Sequence, residues 1–314
     1  MFPIYMEKLY LRSFAEQEMN IHIRRPVEFE KCLDHNFGQT VSLTRQRMTV
    51  QQLLDQREDN ALLITHLEPY CQNISTLIQQ IKPHTTLVQQ PCFSWSIDHE
   101  KIQTACWLFE AIVPRVALAQ IFVQNGYHEA TKHEFKSANR LFKKAETLYI
   151  ESQRCAEQWT WKMPKMSHKI VRAEWHVAQQ YITQNLQHLC FIGVGLQNES
   201  SSTVLKTLAT RAMAAAAKSF TNWQTPEAVQ QLQLADGLRH MFRSNVQWDE
   251  GKYGHSIHTL QTFCQIVPET FPLLQEEFEK VPFLLQERIA TNNGAYFDPV
   301  EAAEDITLEE ILQK

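Results

Sequence analysis

Few side chains in this sequence have the types and spacing that catalysis or metal binding requires. His255 and His258 stand three residues apart on a predicted helix, where two imidazoles can share one metal ion. No third ligand with metal-site spacing accompanies them, so we interpret them as surface histidines. Gly193-Val194-Gly195 lacks the third glycine of a dinucleotide-binding loop and follows a predicted helix. With no phosphate loop, nucleophile elbow or zinc-protease motif, the sequence predicts no enzyme, metal or cofactor, although catalytic groups that meet only in space would escape this search.

A set of apolar side chains close to those glycines suggests binding instead. Two helices are predicted to meet at a turn over Gly193–Ser200, because the serines that follow form a natural N-cap. Val204 and Leu208 are four residues apart and share a face of the second helix, and Phe191 can approach them across the turn. Such a triplet is either ordinary core or a groove for a partner helix. The residues alone leave both interpretations open.

Composition favours a helical intracellular protein. The chain has 314 residues, 44% of them hydrophobic, with only 8 glycines. A net charge of −5 argues against nucleic acid as the main ligand. The seven cysteines are scattered without a CxxC pair, which predicts reduced thiols, and no secretory signal is recognisable. The most apolar run, Ala105–Val123, is interrupted by Glu110, Pro114 and Arg115, so it predicts a buried helix rather than a membrane span.

The elements that would position these side chains are mostly helices. Hydrophobic periodicity predicts extended segments at Pro3–Arg12 and Leu87–Ile97 and a long helix over Met48–Ile81. From His99 onward the breaks at glycine and proline predict helices over residues 99–125, 127–157, 166–192, 201–221, 225–248, 252–267 and 273–292. Helices of similar length with short turns predict a tetratricopeptide-like stack of hairpins. With no linker visible, we expect one domain over 1–314, with an N-terminal part to 98, a helical core over 99–292 and an extended segment over 293–314.

Charge is unevenly distributed along the chain. Ten Lys and Arg residues against four acids lie between Lys132 and Arg172, whereas the chain after Glu269 is acidic. The basic residues are interpreted as solvated helix faces, or else as a surface for anionic lipid or an acidic partner. The candidates for such a basic surface are Lys132, Lys136, Arg140, Lys143 and Lys144.

Several short motifs, in register over nearly the whole chain, resemble one known family. They are an N-terminal strand at Ile4–Leu11, Phe93-Ser94-Trp95, Leu108-Phe109 with Ala117–Gln120, Ala138–Phe142, Gly251–Leu260 and Asn292–Val300. In this order they resemble the Bro-one domain, the boomerang-shaped module of Alix-type proteins associated with the ESCRT machinery. The resemblance implies a mainly α fold, a tetratricopeptide-like stack of helical hairpins in an elongated boomerang, with a small N-terminal β element.

The resemblance also implies a binding site. In this family the concave face of the helical core binds the C-terminal amphipathic helix of an ESCRT-III subunit of the Snf/CHMP class, and the family's apolar patch falls on Phe191, Val204 and Leu208. An acidic position of the family falls on or beside Asn125, so a charge that would meet a basic ligand side chain is expected to be lost. The Gly-rich hairpin that follows the F-x-W strand in relatives is expected to be missing, and Pro114 is expected to interrupt a helix.

The sequence therefore predicts a non-enzymatic adaptor that docks an ESCRT-III-type helix. We expect it in the cytoplasm, with recruitment to endosomes or other membranes. A scaffold of the same fold for an unrelated complex and an uncharacterised enzyme are the alternatives. Tyr296 lies in the family's C-terminal segment, which carries a phosphorylation site in some animal members. We expect it first to be structural, with its ring on the core and its hydroxyl on a polar partner.

Overall fold

The computed structural model describes residues 21–24, 27–32, 40–56, 59–81, 93–98, 100–159, 168–266 and 280–302. Within them the fold is mainly α with a small β-sheet, as predicted. The helices are α1 Phe29–Cys32, α2 Thr40–Gln56, α3 Asn60–Gln80, α4 Trp107–Thr131, α5 Phe135–Trp159, α6 Ala173–Gln197, α7 Ser202–Asn222, α8 Pro226–Asp249, α9 Tyr253–Ile266 and α10 Lys280–Thr291. A 3-10 turn covers Lys169–Val171 and a π-helical turn covers Asn292–Tyr296. The predicted N-terminal strand at Pro3–Arg12 lies outside the described residues.

The sheet has three antiparallel strands in the order β1 Ile21–Ile23, β2 Phe93–Ile97 and β3 Glu100–Thr104. The F-x-W segment is the central strand, as predicted, with Trp95 opposite Ile23 on one side and Ile102 on the other. The predictions of a missing hairpin and of a helix from residue 99 are wrong, because β2 and β3 pair directly. Asp98, at a φ of 49°, takes the left-handed conformation that allows so short a connection without a glycine-rich loop.

Three further predictions about the helices differ from the structure. The long helix over Met48–Ile81 is two helices, α2 and α3, and α3 begins where Asp59 accepts the hydrogen bond of the Leu63 amide at 3.1 Å. Pro114 does not interrupt α4, which continues through it from Trp107 to Thr131. Helical structure also extends beyond 292, since the extended C-terminal segment begins only after Tyr296.

Glycines that were interpreted as breaks lie inside helices. Gly126 is in α4, where an added Cβ would lie 2.6 Å from Cε1 of Phe142. Gly193 is in α6, where an added Cβ would lie 2.8 Å from the ring of Phe135. These glycines make room for aromatic rings of α5, and α6 continues to Gln197 instead of ending near Phe191. The predicted turn over Gly193–Ser200 is therefore shorter.

The chain forms two compact units. The first, here called the sheet unit, contains residues 17–125 and 144–177; the second, the hairpin unit, contains 1–16, 126–143 and 178–314. The sheet unit has an aromatic core in which the rings of Phe29, Phe93 and Trp107 lie 5.3–6.2 Å apart. The hairpin unit includes a cluster of Leu260, Phe263 and Val281. The prediction of a single domain stays a prediction.

Helix α4 is the one helix among the described residues that is long and apolar enough to cross a membrane. Of its most apolar window, 72% is buried inside the protein, and Phe109, Ile112 and Val116 are fully covered. This agrees with the interpretation of the Ala105–Val123 run as a buried helix.

Candidate functional site

The α6–α7 hairpin of the hairpin unit closes tightly. The Ser200 amide donates to the carbonyl of Gly195 at 2.8 Å, and Glu199 takes a left-handed φ of 53°. Helix α7 then begins with the Leu205 amide bonded to the carbonyl of Ser201. An added Cβ at Gly195 would lie 2.9 Å from Cδ2 of Leu205, so this glycine lets the two helices approach closely just before the turn.

The close approach of Gly195 and Leu205 determines which residues of α6 and α7 lie side by side. Phe191 lies one turn before Gly195 on α6, and Leu208 lies about one turn after Leu205 on α7. In an antiparallel hairpin with Gly195 opposite Leu205, Phe191 is therefore level with Leu208.

All three side chains of the triplet reach solvent. Phe191 is 45% exposed and Val204 is 49% exposed, and Leu208 is partly exposed. Cys190, Ile192, Leu205 and Ala209, which are next to them in the chain, are buried, whereas Thr203 and Thr207 are exposed. The exposed apolar groups are thus the outer side of helices whose inner side forms the core. That they line one concave surface stays a prediction.

Arg211 extends the α7 part of this row. It is exposed and lies seven residues after Val204, so Val204, Leu208 and Arg211 fall on one helix face. No carboxylate in the described part of the chain pairs with its guanidinium.

Asn125 lies on α4, in the sheet unit, and its side chain is partly buried. Its Oδ1 accepts a hydrogen bond from Nδ2 of Asn60 at 3.0 Å. The position therefore carries an amide held by a second amide. Its participation in partner binding stays a prediction.

The five residues of the candidate basic surface are all exposed. Lys136 and Arg140 are four residues apart and share a face of α5. Two of the others are already paired: Lys132 lies 3.0 Å from Glu129, and Lys144 lies 3.4 Å from Glu68 with its ammonium 4.8 Å from the centre of the Phe122 ring. Such exposed pairs contribute little to stability, but they reduce the local positive charge.

Tyr296 belongs to an aromatic cluster. Its ring stacks on Tyr253 with centroids 3.7 Å apart, and both rings meet Trp248 edge to face. A side-chain hydrogen bond with Tyr296 raises the pKa of Tyr253. Tyr296 is nevertheless 47% exposed, so its ring covers other aromatic rings at the surface rather than the deep core.

The backbone around Tyr296 is held firmly. Asn292, which is buried, donates to the carbonyl of Asp298 at 2.8 Å and accepts the Asp298 amide at 3.0 Å. The Asp298 carboxylate accepts the amide of Gly254 at 2.8 Å, and the Pro299 carbonyl lies against Gly254, where no Cβ would fit. The Asn292–Val300 motif is therefore a structural clamp that fixes Phe297 in a left-handed conformation.

Sequence reasoning missed a buried charge cluster in the sheet unit. The Glu110 carboxylate accepts four hydrogen bonds from three side chains, Arg47 at 2.8 and 3.3 Å, Tyr70 at 2.5 Å and Trp95 at 2.7 Å. Arg47 and Glu110 are at most 1% exposed. Burial, followed by the charge of Glu110, raises the pKa of Tyr70 well above its ordinary value. With its acceptors filled and no access to solvent, the cluster is structural. The one signal for it was a glutamate within the most apolar segment of the chain.

Comparison with known proteins gives structural matches only. No family model matches the sequence, and no curated protein matches it. The fold is similar to the crystal structure of ALIX in complex with the SIVmac239 PYKEVTEDL late domain, with a TM-score of 0.71 at 13% identity. That match covers 91% of this chain and 46% of the ALIX chain, so the present chain spans less than half of that protein.

Two further structures match over most of both chains. The ALIX BRO1–CHMP4C complex has a TM-score of 0.69 at 12% identity and covers 87% of this chain and 84% of that one. A structure that addresses endosomal targeting by the Bro1 domain has a TM-score of 0.67 at 12% identity and covers 93% and 88%. Bro1 and Bro-one are two spellings of one domain name, so the predicted resemblance is confirmed at the level of the fold.

Proposed function

We propose that this chain, which has the fold of the Bro1 domains, is a non-enzymatic adaptor that binds the C-terminal amphipathic helix of an ESCRT-III subunit. The ALIX BRO1 structure that it resembles is a complex with CHMP4C, and a second similar structure concerns endosomal targeting. By analogy of fold, the chain acts in the cytoplasm and is recruited to endosomes or other membranes.

The observation that carries this proposal is the exposure of Phe191, Val204 and Leu208 on neighbouring helices of one hairpin. Large apolar side chains that a helical hairpin leaves partly in solvent suit the apolar face of an amphipathic helix.

The exposure also sets the scale of the affinity. Full burial of a large apolar side chain contributes about 1.5–3 kcal/mol. About half of Phe191 and Val204 and a smaller part of Leu208 remain to be covered. The partner's own apolar residues add a comparable amount, and association costs several kcal/mol. We therefore expect a dissociation constant that is micromolar at its tightest, which corresponds to about 8 kcal/mol and suits reversible recruitment.

A scaffold for an unrelated protein complex is the second candidate. Asn125 supports it, because an amide bonded to Asn60 replaces the carboxylate that relatives are expected to carry. The exposed Lys136 and Arg140 add a possible contact with anionic membrane in either case.

Peptide binding to the purified full chain tests the proposal. Labelled C-terminal helices of ESCRT-III subunits are titrated against the wild type, Val204→Asp and the matched control Val229→Asp. Both valines are exposed, at 49% and 37%, but Val229 lies on α8 at the other end of the α7–α8 hairpin. We expect Val204→Asp to weaken binding at least tenfold, because it places a carboxylate in an apolar contact, and Val229→Asp to leave binding unchanged.

Salt provides an independent readout. With an amide instead of a carboxylate at Asn125, apolar contacts should dominate the binding. The dissociation constant should therefore change little between about 0.05 and about 0.5 M salt, the range over which charge screening becomes strong. Equal binding by the wild type and Val204→Asp, or no binding by any ESCRT-III helix, would rule out this site and partner.

A further inference from the structure

The α6–α7 hairpin carries almost no negative charge. Between residues 175 and 226 the only acidic residue is Glu199, which lies in the turn between the two helices. The same stretch contains three lysine and arginine residues, Lys206, Arg211 and Lys218, all on α7. The hairpin is therefore positively charged over this stretch, although the net charge of the whole chain is −5.

Two of these bases lie on the face of α7 that carries the candidate site. Arg211 lies seven residues after Val204, and Lys218 lies seven residues after Arg211, so the three fall within about 40° around the helix axis. Arg211 is exposed and Lys218 is partly exposed. Lys206, by contrast, lies about 160° around the helix from Val204, on another side of α7.

A contact between Lys218 and α6 shows how far the bases lie from the apolar residues. The Lys218 ammonium is 5.9 Å from the centre of the Tyr181 ring. Tyr181 lies ten residues before Phe191, and Lys218 lies ten residues after Leu208, so this pair is about 15 Å along the hairpin from the level of Phe191 and Leu208. It supports the alignment that the approach of the helices near the turn gives, and places Arg211 about 4.5 Å beyond Leu208.

Both bases are available to a ligand. No carboxylate among the described residues pairs with the guanidinium of Arg211 or with the ammonium of Lys218. A guanidinium binds a carboxylate through two parallel hydrogen bonds, so glutamate and aspartate are the side chains that Arg211 recognises best.

The candidate surface thus has two parts along its length. It is apolar near the turn, at Phe191, Val204 and Leu208, and basic beyond Leu208, at Arg211 and Lys218. All helices rise by the same distance per residue. A helix that lies along the hairpin therefore meets the two bases about three and about ten residues from its own residue that faces Leu208.

We propose that Arg211 and Lys218 select the partner helix, which carries acidic residues on its contact face about three and about ten residues from its apolar anchors. This inference rests on the proposed function for the position of the site, but not on the identity of the partner. Apolar contacts supply most of the affinity, and the two bases determine which helices are accepted. A docked helix covers these pairs, so salt screens them weakly, in agreement with the small salt dependence expected for the site.

Binding of four synthetic helices to the full chain tests this selection. All four have the same leucine stripe and are stapled on the opposite face, so that they are equally helical. Two glutamates or two lysines stand at the stated spacings, either before or after the leucines, which covers both directions in which a helix can lie on the hairpin. In at least one direction, the glutamate helix should bind the wild type at least tenfold more tightly than the lysine helix.

Charge reversal on α7 locates the effect. Arg211→Glu should reduce the preference for glutamate at least fivefold, and Arg211→Glu/Lys218→Glu should reverse it, which a loss of structure would not produce. Lys206→Glu is the matched control, because it makes the same change of charge on another side of α7, and it should keep the preference. Val204→Asp should weaken binding of the glutamate helix at least tenfold.

Three results would overturn the proposal. Equal, Val204-dependent binding of the glutamate and lysine helices would mean that the surface does not select charge, and the proposed function would stand. A preference that Lys206→Glu removes as fully as Arg211→Glu would mean that overall charge attracts the ligand. Binding by none of the four helices would reject the apolar site together with its selectivity. If the glutamate helix binds as predicted and no ESCRT-III helix binds, the proposed partner alone is wrong.

Discussion

The buried side chain of Glu110 determines which segments of the sheet unit pack together. Its carboxylate is the shared acceptor for Arg47, Tyr70 and Trp95, which come from α2, α3 and β2. A buried ion pair is not in itself a large gain, because desolvation offsets the attraction, but removing one partner leaves an unpaired charge in the interior. The cluster therefore fixes which segments pack together.

The first prediction concerns this carboxylate. Glu110→Gln should lower the free energy of unfolding by about 3–5 kcal/mol, because Arg47 remains buried without a counter-charge. Denaturation with urea measures the loss. Glu129→Gln, which breaks the exposed pair with Lys132, is the control and should cost less than about 1 kcal/mol. Similar losses in both variants would contradict a special role for the buried pair.

The second prediction concerns His176, which is fully buried in the sheet unit. Its Nε2 lies 2.8 Å from the carbonyl of Ile170, and burial lowers the pKa of the imidazole from 6.5 to about 4. Between these two pH values the unfolded chain binds a proton that the folded chain does not. The free energy of unfolding should therefore fall as the pH drops from 6.5 to 4, by about 3 kcal/mol from this residue.

Urea midpoints at pH 7 and pH 4 for the wild type and His176→Gln check this. Glutamine keeps a donor for the Ile170 carbonyl but does not titrate, so the variant should lose less stability on acidification than the wild type. His128→Gln, at an exposed position of α4, is the control. An equal acid response in the wild type and His176→Gln would disprove the assignment.

At the scale of elements, glycine is used for space rather than for turns. Gly126 and Gly193 lie within α4 and α6, and the missing Cβ atoms are replaced by the rings of Phe142 and Phe135. Tyr127, next to Gly126, also packs edge to face on Phe142, with centroids 5.4 Å apart. Close helix contact, rather than backbone flexibility, explains why these positions have no side chain.

The third prediction follows from this contact. Gly126→Ala should destabilise the protein by about 1–2 kcal/mol, because crowding of Phe142 exceeds the gain of about 1 kcal/mol in helix propensity. Gly294→Ala is the control, since no atom lies within 4 Å of its added Cβ, and should change stability by less than about 0.5 kcal/mol. The double variant Gly126→Ala/Phe142→Leu should lose less than the sum of the two single variants. A stabilised Gly126→Ala would show that propensity outweighs crowding.

The elements also show what the sequence could predict. The order of motifs predicted the fold, and the spacing of Val204 and Leu208 predicted a shared face that the structure leaves partly exposed. The predicted helix ends were wrong at Gly126 and Gly193, where the glycine is needed for packing. The sequence around each glycine does not show this, because the aromatic ring that it contacts lies in another helix. The Glu110 cluster was missed for the same reason, since its partner Arg47 lies 63 residues away in the chain.

At the scale of the whole molecule, the chain passes repeatedly between its two units. It enters the sheet unit at residue 17, leaves it at 126, returns at 144 and leaves again at 178. Helices α4, α5 and α6 each belong partly to one unit and partly to the other. Because these helices continue from one unit into the other, one unit cannot unfold alone unless the helices break in their middle.

The fourth prediction is therefore a single cooperative unfolding transition, as expected for one domain. Calorimetry of the wild type and of Glu110→Gln, which weakens only the sheet unit, measures it. One transition that moves as a whole to lower temperature agrees with the prediction. Two separated transitions in Glu110→Gln would mean that the units unfold independently and that the chain contains two domains.

The apolar character of α4 has a consequence for how the chain is made. Synthesis runs from the N-terminus at about 5–20 residues per second, so α4 leaves the ribosome on the order of seconds before α5 is complete. During that interval Phe142 and Glu151, which later contact Tyr127 and Arg115, do not yet cover it. A helix that is buried in the finished protein thus emerges partly uncovered, with the length and hydropathy of a membrane-spanning helix, although the segments that carry Arg47, Tyr70 and Trp95 are already synthesised. We therefore expect chaperones to bind the apolar surface of α4 in the nascent chain until α5 has been synthesised.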